Sequence, residues 1–183
     1  ADGWAGRADG TVASGQLTLP LCGTVSTTGA NVDVVVNGVS APATVTGATW
    51  CRTASLAPGA PHIIVANAST PGGSFGSASL ILRVDLSAPN PITDFAVTHV
   101  TRQHLHASWT AVDDTGPVHA YELRIAETAL TSGNFASTGV AWGLPAPAGS
   151  GVDEIAELVP VRTGVPIWIG LSTVDLAGNR STP

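Results

Sequence analysis

VDLAGNRS, at residues 174–181, closes a segment that also carries SWT at 108–110 and AYELR at 120–124. Alternate positions of this segment form three sets of mostly apolar side chains: Leu105, Ala107 and Trp109; Tyr121, Leu123 and Ile125; Ile167, Ile169, Leu171 and Thr173. Every second side chain of a β-strand points to the same face of its sheet. The pattern therefore predicts strands that bury one face, with Trp109 at the centre of the core and Tyr121 beside it.

Short runs rich in β-branched residues, separated by Gly, Pro, Asn and Ser, make up much of the remaining chain. No segment keeps the apolar spacing of an amphipathic helix over three turns. Strands are predicted at residues 31–36, 43–50, 62–66, 79–84, 95–100, 104–109, 120–125 and 167–174, with a short one near 140–142. Because strands that recur every 8–12 residues or so are typical of a sandwich or barrel, the predicted fold class is all-β.

The composition excludes several classes of function. Of the 183 residues, 44% are hydrophobic and 11% are charged, so a core can be buried, and the formal net charge is −6. The lack of a basic cluster argues against nucleic acid and anionic membrane surfaces as partners. No apolar run approaches the roughly 20 residues of a membrane-spanning helix, so no membrane insertion is expected. All cations are Arg, which excludes Schiff-base and P-loop chemistry.

A proline-containing stretch at residues 86–91 divides the chain. Pro89 and Pro91 cannot donate hydrogen bonds to a sheet, and residues before proline are held extended. We therefore expect a short, stiff linker here, between one β-sandwich at 15–88 and a second at 89–183. Residues 1–14 fit neither half, and an N-terminal arm, an extra strand and the tail of an upstream domain all stay open for them.

The second half resembles a bacterial fibronectin type III domain, on the order of its SWT, AYELR and VDLAGNRS motifs. The resemblance implies a β-sandwich with Trp109 in the core. The position of the tyrosine corner in such domains is occupied here by Ile167. The neighbouring aromatic residue, Trp168, is therefore expected to face outward.

The first half resembles the bacterial Ig-like repeats of surface proteins over about residues 17–86. The matching segments are GTV at 23–25, VDVVVNGV at 32–39, Trp50, LAPG at 56–59 and IIVANA at 63–68. Within them, Asn37-Gly38 predicts a two-residue type I′ hairpin turn, which needs positive φ at both positions. The resemblance implies a second sandwich. For the chain as a whole we therefore expect two tandem Ig-like β-sandwiches.

Together the two resemblances imply a secreted or cell-surface bacterial protein, in which cysteines are oxidised. The chain has two cysteines, Cys22 and Cys51, and in an extracellular chain a disulfide between them is expected. Two thiols alone make a poor metal site. No histidine flanks either cysteine, so a catalytic thiol is not expected.

His104 and His106 lie two residues apart and should share the outer face of their strand. A His-x-His pair can hold a metal, with His119 or Asp114 as a third ligand. A solvated strand face is the alternative. We assign no metal on this pattern.

Three aspartates, Asp113, Asp114 and Asp175, are expected near one pole of the second sandwich. Their oxygens would suit Ca²⁺, although Asp-rich loops are also ordinary turn chemistry. We assign no cofactor, and Ca²⁺ stays the open alternative.

Three further acids, Asp153, Glu154 and Glu157, lie on one strand segment that looks exposed. Glycoside hydrolysis needs two carboxylates that face each other across a cleft. The sequence offers no obvious cleft, and it has neither a Gly-x-Ser-x-Gly nor an HExxH motif. No enzymatic activity is expected.

The leading hypothesis is a non-catalytic structural or adhesive module of a bacterial surface protein. In a sharper version it is a pilus-like filament subunit, in which residues 1–14, with Trp4, add to a sheet edge of the next subunit. The alternative is an accessory module of a secreted enzyme that binds polysaccharide or a host surface. In that alternative, exposed Trp142 and Trp168 would stack on sugar rings.

Overall fold

The computed structural model describes residues 3–101, 104–114, 116–142, 144–158 and 164–183, with the backbone alone at 140–142. The chain divides into two compact units, unit 1 (Ala1–Leu86) and unit 2 (Ser87–Pro183). No helix among the described residues is long and apolar enough to cross a membrane. The fold class is all-β, as the two-residue periodicity predicts.

Unit 1 consists of two sheets. Its strands are β1 (Trp4–Ala5), β2 (Thr11–Ala13), β3 (Gln16–Thr24), β4 (Asn31–Val36), β5 (Val39–Pro42), β6 (Thr44–Thr46), β7 (Thr49–Leu56), β8 (Pro61–Ser69) and β9 (Phe75–Val84). The order is β1-β9-β8-β4-β5 in one sheet and β2-β3-β7-β6 in the other. Alternate side chains of both sheets form the core, which includes Leu17, Leu19, Leu21, Val32, Val34, Leu56, Ile64, Leu82 and Val84.

The strand predicted over residues 43–50 is wrong, because the chain reverses within it. Strands β6 and β7 pair with each other, with Thr46 opposite Thr49. Gly47 has φ +62° in the turn between them, a conformation that glycine adopts without steric penalty. By contrast, β4 occupies the residues predicted for it.

The hairpin turn at Asn37-Gly38 forms as the sequence predicts, with φ +50° and +85°. Asn37 also binds β8, the neighbour of β4 in the sheet. Its backbone N–H donates to the Ile63 carbonyl at 2.9 Å, and its Oδ1 accepts from the Ile63 N–H at 2.9 Å. Its amide lies 2.9 Å from Nδ1 of buried His62, while His62 Nε2 lies 2.8 Å from the Ala57 carbonyl. The turn residue thus ties β4 to β8 and satisfies a core histidine.

The predicted disulfide is present. Cys22 and Cys51 lie opposite each other on β3 and β7, with their Cα atoms 4.2 Å apart and the sulfurs bonded. The bond links strands on one sheet of unit 1 across a sequence separation of 29 residues.

Unit 2 is a second sandwich of two three-stranded sheets. Its strands are β10 (Ala96–Val100), β11 (Leu105–Thr110), β12 (Val118–Ala126), β13 (Val140–Trp142), β14 (Asp153–Leu158) and β15 (Trp168–Asp175), with a 3-10 turn at Phe135–Ser137. The sheet orders are β10-β11-β14 and β13-β12-β15. Trp109 is buried between the sheets, and its ring packs edge-on against Tyr121 at 5.2 Å.

We predict that the double substitution Cys22→Ala/Cys51→Ala lowers the free energy of unfolding of unit 1 by about 3 kcal/mol, since it releases a loop of this length in the unfolded chain. Urea unfolding followed by circular dichroism measures the change. Reduced wild-type protein is the control and should show the same loss. An unchanged urea midpoint in both samples would contradict the prediction.

Candidate functional site

The strongest candidate for a binding site is a groove in unit 1 that opens between its two sheets. The groove has a volume of about 720 Å³, and Gly76, Ala78 and Leu80 of β9 line one wall, with Leu19 and Leu21 of β3 on the other. Leu80 belongs to the same face of β9 as buried Leu82, yet 40% of its surface is exposed. The core of unit 1 is therefore open to solvent on this side.

The groove is open because the strands at this side of the sandwich are short. Strand β1 pairs in parallel with only Arg83 and Val84 of β9, and β2 covers only the first residues of β3, from Gln16 to Thr18. Among the described residues, no other strand pairs with β9 on the side of β1, or with β3 on the side of β2. Residues 75–82 of β9 thus form a bare sheet edge beside the groove.

This bare edge lacks the usual protection against pairing. Its sequence, FGSASLIL at residues 75–82, contains no charged residue and no proline. Two large apolar side chains of this edge are exposed, Phe75 at 70% and Ile81 at 60%. Exposed, apolar and uncharged edges of this kind are templates for strand addition. Small side chains that line the groove, including Ala66, Ala68 and Ala78, leave room for larger apolar side chains of an incoming strand.

The N-terminal segment folds onto this same side of unit 1, where the described part of residues 1–14 supplies two extra strands. Trp4 lines the groove, and the Arg83 guanidinium lies 5.9 Å from the centre of its ring. Between the strands, the Gly6 N–H donates to the Asp9 carboxylate at 2.8 Å. The groove itself was not predicted, because its openness depends on which strands pair.

The two tryptophans considered for recognition differ in what the structure describes. Trp168 is 42% exposed and stands opposite Ala126 at the start of β15, so it faces outward as predicted. Trp142 ends β13 opposite Leu123, and its side chain lies outside the described residues.

His104 and His106 are half-buried on either side of buried Leu105, which places them on the outer face as predicted. His119, considered as a third metal ligand, lies on β12 in the other sheet of unit 2. The structure therefore does not bring His119 to this pair.

Of the three aspartates near one pole, Asp114 and Asp175 have carboxylate oxygens within 4.8 Å of each other, while Asp113 is exposed. Asp175 accepts hydrogen bonds from the backbone N–H and the side-chain amide of Asn179, both at 2.8 Å. This is the turn chemistry of an Asp side chain. Within unit 2, these two carboxylates supply fewer oxygens than the roughly six to eight that surround Ca²⁺.

The expectation that Asp153, Glu154 and Glu157 share an exposed segment is wrong for Glu154. That side chain is buried and accepts hydrogen bonds from the Tyr121 hydroxyl and the Ala148 N–H, both at 2.7 Å. The other two acids of the segment, Asp153 and Glu157, face outward. They are four residues apart on one strand, about 13 Å, and so do not form the facing pair of a glycosidase.

Burial in the core and the contact with Glu154 change the pKa of Tyr121. Burial, together with the hydrogen bond to Glu154, raises the pKa of Tyr121 to about 12. The Trp109 indole lowers that pKa in part. The neutral phenol is thereby kept as a donor inside the core of unit 2.

The fold is similar to that of fibronectin type III domains. The FN1-FN3 domains of chicken CNTN1 match 99% of this chain with a TM-score of 0.57 and 15% sequence identity. The chain spans 64% of the length of that structure. An apo structure of Bacteroides uniformis beta-glucuronidase 3 matches 84% of this chain and 20% of its own, at 14% identity and a TM-score of 0.30. No protein-family model and no curated protein matches.

We predict that Tyr121, the one tyrosine of the chain, ionises with a midpoint near pH 12 in the folded protein, as its raised pKa requires. In urea the midpoint should return to about 10. A pKa raised by folding stabilises the fold fully below about pH 10, and this contribution is lost as the pH rises towards 12. Tyrosinate absorbance measures both midpoints, and a native midpoint near 10 would contradict the buried contact.

Proposed function

We propose that the chain is a non-catalytic structural or adhesive module of a secreted or cell-surface bacterial protein, and that unit 1 connects it to a neighbouring subunit by accepting an extended strand. The bare apolar edge of β9 beside the open groove carries this proposal. Strand addition supplies backbone hydrogen bonds along the edge, and alternate side chains of the added strand fill the groove. The disulfide supports an oxidising, extracellular location, and the sequence of the first half resembles bacterial Ig-like repeats.

We infer that the added strand is the N-terminal segment, residues 3–13, of a second copy. Within its own unit this segment is held by short pairings, two residues in β1 and three in β2. Its backbone already pairs with β9, and Trp4 already lines the groove. The backbone of the segment therefore suits the edge of β9, and the Trp4 side chain suits the groove. The turn at Ser14 and Gly15, with φ +51° and +74°, is the hinge at which the segment would leave.

The donor segment and the acceptor edge are different parts of one module, so each copy can bind one neighbour through each. Such a head-to-tail contact is heterologous, and it produces an open filament when the rotation between copies does not close a ring. This is the pilus-like version of the structural role. The partner is thus protein, in the form of another copy.

We predict that Ala78→Glu weakens self-association about tenfold or more, because a carboxylate in the groove would be buried without a partner when the strand binds. Thr53→Glu is the control, since it adds the same charge on the exposed face of β7, away from the groove and from the edge of β9, and should associate like wild type. Light scattering of fractionated samples measures the assembly. Wild-type protein that stays monomeric at every concentration would overturn the proposal.

A deletion of residues 1–13 removes the donor and keeps the acceptor, whereas Ala78→Glu does the reverse. Each variant alone should therefore stay monomeric, and an equimolar mixture should stop at the heterodimer. Circular dichroism confirms that both variants are folded. Failure of the mixture to form dimers would exclude this donor and leave the edge of β9 to another strand.

A second candidate function is an accessory module that binds polysaccharide, favoured by the exposure of Trp168. On the same outer face, Glu122 bridges two arginines: Arg124 at 2.6 Å and Arg180 at 2.8 Å. A flat aromatic ring beside paired polar groups suits a sugar ring.

On this second hypothesis, Trp168→Ala abolishes the retardation of the protein in polysaccharide-containing gels. Ile155→Ala, which removes another exposed apolar side chain from the other sheet of unit 2, should leave the retardation unchanged. Equal mobility of wild type and Trp168→Ala with every polysaccharide tested would dismiss the hypothesis.

A further inference from the structure

Three histidines and a glutamate come together on the outer face of the sheet β10-β11-β14. His106 of β11 stands opposite His99 of β10 on one side and opposite Glu157 of β14 on the other. The rings of His99 and His106 are 5.8 Å apart between centroids. His104 completes the cluster through an ion-pair contact between its Nδ1 and Oε1 of Glu157.

We propose that this histidine cluster, His99, His104, His106 and Glu157, is a binding site for a divalent transition-metal ion of the Zn²⁺ type. Three imidazole nitrogens and one carboxylate oxygen are the number and kind of donors that a tetrahedral zinc site uses. Imidazole also suits Cu²⁺ and Ni²⁺, whereas Mg²⁺ and Ca²⁺ prefer oxygen donors alone. The site lies outside unit 1, and it does not depend on the strand-accepting groove.

The spacing of the rings supports a shared metal ion. Zinc–nitrogen bonds of about 2 Å, with a tetrahedral angle between them, place the centres of two coordinated imidazole rings about 5 Å apart. The 5.8 Å between His99 and His106 is close to that value. No three ligand atoms of the cluster lie within 4.8 Å of one another. Binding of an ion therefore requires the side chains to rotate.

Such a rotation is open to these side chains because the core lies on the other face of the strand. Leu105 and Ala107, which alternate with the histidines, are buried. His99 is exposed, and the side chains of His104 and Glu157 are 41% and 50% exposed. The cluster can therefore close around an ion without repacking the core.

A β-bulge brings His99 into the cluster. Val97 pairs with Ala107, and a register shift then places His99, instead of Thr98, opposite His106. In a regular ladder Thr98 would stand beside His106, and His99 would point to the opposite face. Bulges re-aim side chains in this way and are frequent next to functional sites.

The test is titration of the full chain, free of any histidine tag, with Zn²⁺ in a calorimeter. Wild type should bind one ion, and His106→Ala should bind it about tenfold or more weakly, since it loses a central ligand. His119→Ala is the matched control, because it removes an exposed histidine from the other sheet and should bind like wild type. Mg²⁺ and Ca²⁺ should give no heat in wild type.

Co²⁺ in place of Zn²⁺ gives a second readout, because its visible absorption reports tetrahedral coordination. The wild-type spectrum should show the intense bands of a tetrahedral site, and His99→Ala/His106→Ala should lose them while keeping its circular dichroism spectrum. Absence of stoichiometric Zn²⁺ binding to wild type would overturn the proposal. A loss of affinity in His119→Ala equal to that in His106→Ala would also overturn it.

Discussion

Adjacent side chains of a β-strand point to opposite faces, and this constraint decides where each chemical group of the protein is placed. On β11 it buries Trp109 and leaves His104 and His106 on the outside. On β14 it buries Glu154 between exposed neighbours. One residue of slip in either strand would exchange the core for the surface. On the buried side, Trp109 packs edge-on against Tyr121 of the other sheet.

The same architecture leaves edges, and the proposed site of strand addition is an edge of unit 1. Each sheet must end in a strand with unpaired backbone groups. In unit 1 the short strands β1 and β2 cover only parts of β9 and β3, so the edge and the groove behind it stay open. Fibronectin type III-like sandwiches host many roles, and the site decides among them.

Two polar side chains inside the cores, Glu154 and His62, are satisfied locally. Glu154 accepts from Tyr121 and Ala148, and His62 is held between Asn37 and Ala57. Buried polar groups in folded proteins are paired in this way. The proposed histidine cluster and Trp168 lie instead on the outer faces of unit 2.

Sequence alone determined the features that depend on neighbouring residues: the all-β class, strand β4, the turn at Asn37-Gly38, the burial of Trp109 and the outward direction of Trp168. The cysteine pairing was predicted from the two cysteines of the chain and from the resemblance of its sequence to repeats of surface proteins. The tertiary structure alone decided the bulge that places His99 beside His106, the buried role of Glu154 and the opening beside β9. These features depend on register between strands that are distant in the chain, and strand periodicity carries no information about which strands become neighbours.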